Sequence, residues 1–357
     1  MTILTIFFAI LLFSLLIFVH ELGHFMAAKL SGVQVNEFAL FMGPAIYKKK
    51  VGETLYSIRC IPLGGYCAME GEDGEGDVDN PRSFQKAAWW KRLIILVAGA
   101  AMNFLCGILI FAIIYLPVDA IAEPVISGFT DCSLVDDSGL QAGDRILEID
   151  GEKLYVNADF SMLLAVNDSE TYDLVIERNG EKLVLDDYPL APHAHVDEQG
   201  NEYMHYGINF QVIEPTFGRK IAFVWENTVD TVRNVRLSLQ MLFTGKASVS
   251  EMSGPVGIVD MMVDVASDSQ SVWIAISNML WFGGFIAVNL AIMNLLPIPA
   301  LDGGRVVGLL LTTIVEAVTR KKLDPKYEGY LHGAGMILLL GLMAFILFKD
   351  IFMIFQR

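Results

Sequence analysis

Residues 2–19, TILTIFFAILLFSLLIFV, carry no charge, and directly behind them the chain turns polar at HELGH. Three later stretches repeat the apolar character: LIILVAGAAMNFLCGILIFAIIYLPV (93–118), VWIAISNMLWFGGFIAVNLAIMNLL (272–296) and HGAGMILLLGLMAFILF (332–348). Each is close to the ~20 residues a helix needs to cross about 30 Å of hydrocarbon, so the pattern predicts four spans, the first over residues 2–28. A cleavable leader would need a basic start and a small-residue cleavage site, whereas no Lys or Arg precedes Lys29 and HELGH follows the apolar run.

Between the spans the period changes. AIYKKKVGETLYSIRCIPLGGY (45–66) reads as a hairpin, two β-rich runs around VGET bounded by Gly43, Pro44, Gly64 and Gly65. After Pro124 come short strands, PVISGF and DRILEIDGEKL, a helix in NADFSMLLAV, and a hairpin YDLVIERNGEKLVLD turning at Asn179 and Gly180. Residues 217–244 place Ile221, Val224, Trp225, Thr228, Val232, Val235 and Leu239 at near-helical spacing. An amphipathic helix at the membrane surface fits that pattern, and so does one packed on the preceding strands.

Composition agrees with a membrane protein: of 357 residues, 54% are hydrophobic and 18% charged, with mean hydropathy +0.49. Charge adds direction. Residues 26–92 hold nine Lys/Arg, including Lys48, Lys49 and Lys50, and 297–331 hold five, whereas 119–270 hold nine against twenty-seven Asp/Glu. The positive-inside rule puts the two shorter loops in the cytoplasm, and the acidic segment and both termini outside. The net charge of −16 belongs mostly to that outer segment and argues against nucleic acid as its partner. Cys60, Cys67, Cys106 and Cys132 lie in different contexts and imply no disulfide framework.

The chemistry concentrates in HELGH. On a helix His20 and His24 share a face and can offer imidazoles to one ion, while Glu21 can reach a water held on it, the arrangement of zinc proteases. Burying His, Glu and His in one apolar helix is costly, and such residues default to function. Gly23 is expected to keep the helix face open. Catalytic zinc usually takes a third protein ligand. The candidates are His332, Glu37, Glu316, the acidic run EGEDGEGDVD (70–79) and Asp302. The acidic run reads as a solvated loop, and His332 and Glu316 stand alone. Asp302 follows a span interrupted by Pro297 and Pro299, and non-helical backbone at membrane depth survives only where it lines protein or water. Its plainer reading is an N-cap of the helix that follows. His193, His195 and His205 read as ordinary surface residues.

HELGH on the first span, with NLLPIPALDGG closing a later one, resembles the site-2 protease family of intramembrane zinc metalloproteases, most closely its bacterial branch named regulator of sigma-E protease. IPLGGYCAMEGE (61–72), AGAAMNFLCG (98–107), SGPVGI (253–258) and the PDZ-like GLQAGDRILEIDG (139–151) extend the similarity nearly end to end. The resemblance implies Zn2+ held by His20, His24 and Asp302, with Glu21 as catalytic acid/base. It implies substrate backbone bound by Asn294 near the scissile bond, with Asn103 helping to shape the site or bonding between helices. It also implies a hairpin edge that pairs with unwound substrate, and an outer PDZ domain that gates access or recognises a trimmed substrate end. The family's best-known member has two PDZ domains in tandem; this chain has room for one.

The expected fold is a polytopic α-helical membrane protein of four transmembrane helices, with an inserted extracytoplasmic PDZ domain (α+β) and a cytoplasmic-side β-hairpin. Its parts are an N-terminal membrane half (1–118), a PDZ-like domain (124–213), an amphipathic connector (214–270) and a C-terminal membrane half (271–357). The expected function is cleavage of single-pass membrane proteins, of anti-sigma-factor or remnant-signal-peptide type, by a monomer in contact with lipid in the bacterial cytoplasmic membrane. The rivals are an idle PDZ scaffold or chaperone and a zinc-binding transporter. HELGH is intact and the chain shows no inverted repeat, which count against them.

Overall fold

The computed structural model describes residues 2–72, 80–130, 139–167, 169–196, 202–246, 254–269, 271–320 and 326–356. It divides into two compact units, the first formed by residues 1–111 and 238–357 and the second by residues 112–237.

The first unit is built on long apolar helices. Among the described residues four are long and apolar enough to cross a membrane: Leu4–Ser31 within α1 (Thr2–Ser31), α2 (Trp89–Tyr115), α6 (Val272–Asn294), and Gly333–Asp350 within α8 (Lys326–Gln356). Their exposed Leu, Ile, Phe and Trp side chains are those of helices whose solvent is lipid. The third span breaks where its prolines predict: α6 stops at Asn294, Pro297 and Pro299 occupy a tight non-helical segment, and α7 (Asp302–Thr319) starts afresh. Ala300 takes a left-handed φ of 80° in that segment. Close backbone approach makes the two glycines that follow obligatory, since a Cβ at Gly303 would stand 2.2 Å from the Leu295 oxygen and one at Gly304 2.3 Å from the Ile298 oxygen.

The hairpin expected over 45–66 is part of a larger sheet. Strands β1 (Val35–Val51) and β2 (Thr54–Met69) fold back on themselves, so that residues 37–40 pair with 55–58 on one side and with 65–68 on the other, while Lys48 to Lys50 pair with Ser57 to Leu55. Four strand segments lie side by side, and Phe38, Cys67 and Met69 tie them to α1, α2 and α7 through Ala27, Ala28, Ile95, Leu96 and Leu309. Ion pairs fasten its ends. Glu53 at the turn binds Lys29 and Arg82, whose hydrogen bonds hold its carboxyl low, at about 2.

The helix α5 (Pro255–Asp268) belongs to this unit and packs Met262 and Ala266 against Ala9 and Leu12 of α1 and Ala275 and Met279 of α6. Its first turn is capped from afar: the Oδ2 of Asp350, 3% exposed, accepts from the amides of Gly254 and Gly257, each at 3.0 Å.

The second unit is a sheet with helices against it. Strands β3 (Ile121–Phe129), β4 (Arg145–Ile149), β6 (Thr171–Arg178), β7 (Glu181–Pro189) and β10 (Ile208–Ile213) stand in the order β10-β3-β4-β6-β7, with β5 (Glu152–Lys153) on β4. The hairpin expected over 172–186 is formed by β6 and β7 and turns at Asn179 and Gly180, both with positive φ. In GLQAGDRILEIDG, Asp144 organises the turn: it accepts from the Gln141 amide and from the Arg178 guanidinium, which also reaches the Gly139 carbonyl. Helix α3 (Asp159–Asn167) buries Phe160, Leu163 and Leu164 on this sheet. The backbones of His193 and His205 face each other in a small hairpin, β8 (His193–Val196) with β9 (Glu202–His205).

Helix α4 (Phe217–Thr244) is amphipathic as expected, with one face turned inward. Its buried residues include Asn227, Thr228, Asp230, Thr231 and Arg233 beside Phe223 and Val224, while Phe217, Ile221 and Trp225 are exposed. Arg233 pairs with Asp159 and Asp230, Arg236 with Glu152, and Arg219 with Glu123.

Candidate metal centre

His20 and His24 lie one turn apart on α1, and α2 is pressed against that turn. A Cβ on Gly23 would stand 2.4 Å from the Ala98 oxygen, and one on Gly99 would stand 2.3 Å from His24 Nε2 and 2.8 Å from His20 Cε1. Two glycines, one on each helix, therefore let the backbones meet at the imidazoles. Gly23 matters for this close crossing, and Gly99 is a site residue that the sequence reading passed over; its signal was the small-residue run AGAA, typical of helix packing in membranes.

The three side chains converge. His24 Nε2 lies 3.1 Å from His20 Nε2, and Asp302 Oδ2 lies 3.2 Å from His20 Nε2 and 3.3 Å from His24 Nε2. His24 Nδ1 is 2.8 Å from the Ile95 carbonyl oxygen, so it carries the proton and Nε2 keeps its lone pair. Asp302 Oδ2 is buried and makes no hydrogen bond. His24 Nε2 and Asp302 Oδ2 thus turn electron pairs toward the point that His20 Nε2 also faces. Ligands at about 2.0–2.1 Å from a tetrahedral zinc stand about 3.3–3.4 Å apart, so the donor set fits that ion. Among the described residues it is the one group of three His, Cys, Asp or Glu side chains with this convergence.

Glu21 points from the same turn toward the sheet. Its carboxyl faces the backbone amide of Cys67, and its Cγ lies within 3.4 Å of the Cβ position at Gly65. Residues 65–68 use their other edge to pair with 37–40, so the edge facing Glu21 is the outer one. Asn294, the last residue of α6, places its amide nitrogen 3.5 Å from His20 Nδ1. Asn103 is 1% exposed, and neither of its amide atoms has a partner.

The other third-ligand candidates stand elsewhere or cannot be placed. Glu37 is held by Ser57 and Arg59 within the sheet, which lowers its carboxyl despite the opposing effect of burial. The side chain of His332 and residues 73–79 of the acidic run lie outside the described residues, as does Cys132; Cys60, Cys67 and Cys106 are free. Glu316 lies fourteen residues beyond Asp302, near the far end of α7.

An HExxH pair on an apolar helix, completed by a carboxylate from a broken helix, defines a metallopeptidase of the membrane-embedded kind. The chain belongs to peptidase family M50, the site-2 protease family: the model described as "Peptidase family M50" matches residues 8–342. A protein of Clostridium perfringens with a provisional zinc metalloprotease name is 35% identical over 348 residues, covering 97% of this chain and 98% of its own. Zinc metalloprotease RasP of Oceanobacillus iheyensis is 30% identical, with 96% and 97% covered. Regulator of sigma-W protease RasP of Bacillus subtilis is 28% identical over the same shares of the two chains. The chain is accordingly a metalloprotease and an integral membrane protein.

Proposed function

We propose that this protein is an intramembrane zinc endopeptidase in which His20, His24 and Asp302 hold the ion, Glu21 is the catalytic acid/base, and single-pass membrane proteins are cut within or near their spans. The convergence of two imidazole nitrogens and an unpartnered carboxylate oxygen at one point between apolar helices carries this reading. Zinc bound there would supply Lewis acidity toward a peptide carbonyl and acidify a coordinated water. The Glu21 carboxylate takes the water proton and passes it to the leaving amine. The Ile95 carbonyl fixes the tautomer of His24. The Asn294 amide nitrogen donates to His20 Nδ1 and orients that ring, and the rest of its amide is placed to bind substrate backbone.

A helical substrate hides its peptide groups, so it must unwind before it is cut. The outer edge of residues 65–68 suits an extended segment added as one more strand, and it runs past Glu21. The sheet-and-helix unit reads as a single PDZ domain: β10 is an edge strand and α3 packs Phe160 near Phe210 and Tyr206 beside it. Loop charges favour an orientation with this unit and both termini outside and the metal site toward the cytoplasm. The sigma-W regulator among the relatives supports a membrane-bound anti-sigma factor as substrate; remnant signal peptides share the same chemistry. The protein works as a monomer surrounded by lipid, with no nucleic-acid partner.

The experiment is cleavage of a single-pass model protein by the purified enzyme in detergent. Chelation should abolish cleavage, and added zinc should restore it. Chelator-resistant cleavage would contradict the metal mechanism, and zinc binding without any cleavage would favour the scaffold or transporter readings.

A further inference from the structure

Helix α7 brings the third metal-site residue into place, yet little of it is buried: among its described residues only Gly303 and Leu309 are. Its N-cap, Leu301, offers no side-chain hydrogen bond. Asp302, Arg305, Val306 and Leu309 follow the i, i+3, i+4, i+7 spacing and share one face. Along that face Val306 and Leu309 pack on the cluster containing Phe38, Cys67 and Met69 of the sheet. Arg305 Nη1 donates to Glu72 Oε1 in an ion pair whose side chains are 23% and 14% exposed.

Glu72 is anchored in turn. Its amide bonds to the Met69 carbonyl at 3.4 Å, and the preceding Glu70 is tied to Gln34 through its amide and to Asn36 through its carboxylate. The pair therefore spans from the end of the strand whose outer edge faces Glu21 to the helix turn that carries Asp302. A lightly buried helix start needs such a tie, because a metal ligand must be held within about 0.5 Å of its productive place.

We propose that Arg305 and Glu72 form a positioning pair that registers Asp302 against His20 and His24 and couples the sheet edge to the metal site. This inference rests on the zinc reading above. Neither residue touches the reacting atoms; both act through Asp302.

The test is zinc affinity of the full-length protein in detergent, measured by competition with a chromophoric chelator. Outer partners of metal ligands typically change affinity about 10–100-fold, so Glu72→Gln and Arg305→Gln should each weaken zinc by about 10-fold or more, and Arg305→Lys by less. The exchange Glu72→Arg with Arg305→Glu should recover most of the loss, which a folding defect would not do. Cleavage by the single variants should return toward the parent rate at saturating zinc. Glu53→Gln, which breaks an ion pair at the far end of the same sheet, should leave zinc affinity within about twofold. Unchanged affinity in both single variants, or no recovery in the exchanged pair, would overturn the proposal. If the parent protein itself binds no zinc, the metal reading fails instead.

Discussion

The Nδ1 of His24 sits 2.8 Å from the carbonyl oxygen of Ile95, a residue of the neighbouring helix. An α-helical carbonyl normally has its partner four residues on, so a second acceptance by Ile95 uses its spare lone pair to orient a ring on α1. The contact is possible because α1 and α2 approach at glycines. Replacing Gly99 by alanine should therefore act on the metal site: with a Cβ 2.3 Å from His24 Nε2, the ring or the helix must shift. Zinc affinity should fall by about 10-fold or more, as for other disturbed partners of metal ligands. Equilibrium dialysis against buffered zinc will show this, with the far-ultraviolet spectrum unchanged.

Glu21 and the two histidines share one helical turn but should separate in their effects. Glu21→Gln keeps the size of the side chain facing the Cys67 amide and removes the carboxylate proposed as the base. Cleavage should drop by about 10²–10⁴-fold, the range general acid–base groups supply, while bound zinc stays at the parent level. Metal analysis and cleavage assays on the same preparation separate the two outcomes.

Asp230 makes the second unit sensitive to alkali. Burial, reinforced by the neighbouring Asp159 carboxylate, raises its pKa above the ordinary carboxylate range against the opposing pull of Arg233. The folded form thus holds a proton at pH values where the unfolded chain, with a carboxyl pKa of about 4, has released it. The native state binds more protons there, so stability is full below about pH 4 and declines as pH rises toward the raised folded value. Hydrogen exchange over residues 121–237 of the whole chain should accelerate as pH rises above that range, beyond its intrinsic pH dependence. Asp230→Asn should flatten that excess.

Asp350 should be a stability residue of the membrane unit. Its carboxylate accepts from two amides at the start of α5, and removing it takes the partner from a buried donor at Gly254 and a part-buried one at Gly257. Asp350→Ala should cost about 1–3 kcal/mol and lower the thermal midpoint in detergent. Zinc content after purification should stay unchanged.

The spans were legible because lipid imposes a length and a composition that no other setting demands, and HELGH and LDGG were legible because metal chemistry imposes residue types. The four-segment sheet was only half legible. Residues 45–66 carry β-rich runs, but the pairing of 37–40 on both sides depends on contacts with 65–68 that no local pattern encodes. Helix α4 shows the limit of periodicity: Asp230 and Arg233 look solvent-facing by type, and they are buried where Arg233 meets Asp159, Asp230 and the Lys153 carbonyl, while Asn227 turns its amide back onto the Phe223 carbonyl of its own helix. Gly99 was hidden for a different reason, since a glycine in an apolar span signals a close crossing without saying which residue crosses.

The central claim is that His20, His24 and Asp302 together hold one zinc ion. Its most direct test is the zinc-to-protein ratio of the purified full-length chain and of Asp302→Ala, with Glu21→Gln as the reference for an intact site. The account predicts about one zinc per chain in the parent and in Glu21→Gln, as a site with three protein ligands should hold, and close to none in Asp302→Ala. A full complement of zinc in Asp302→Ala would contradict it.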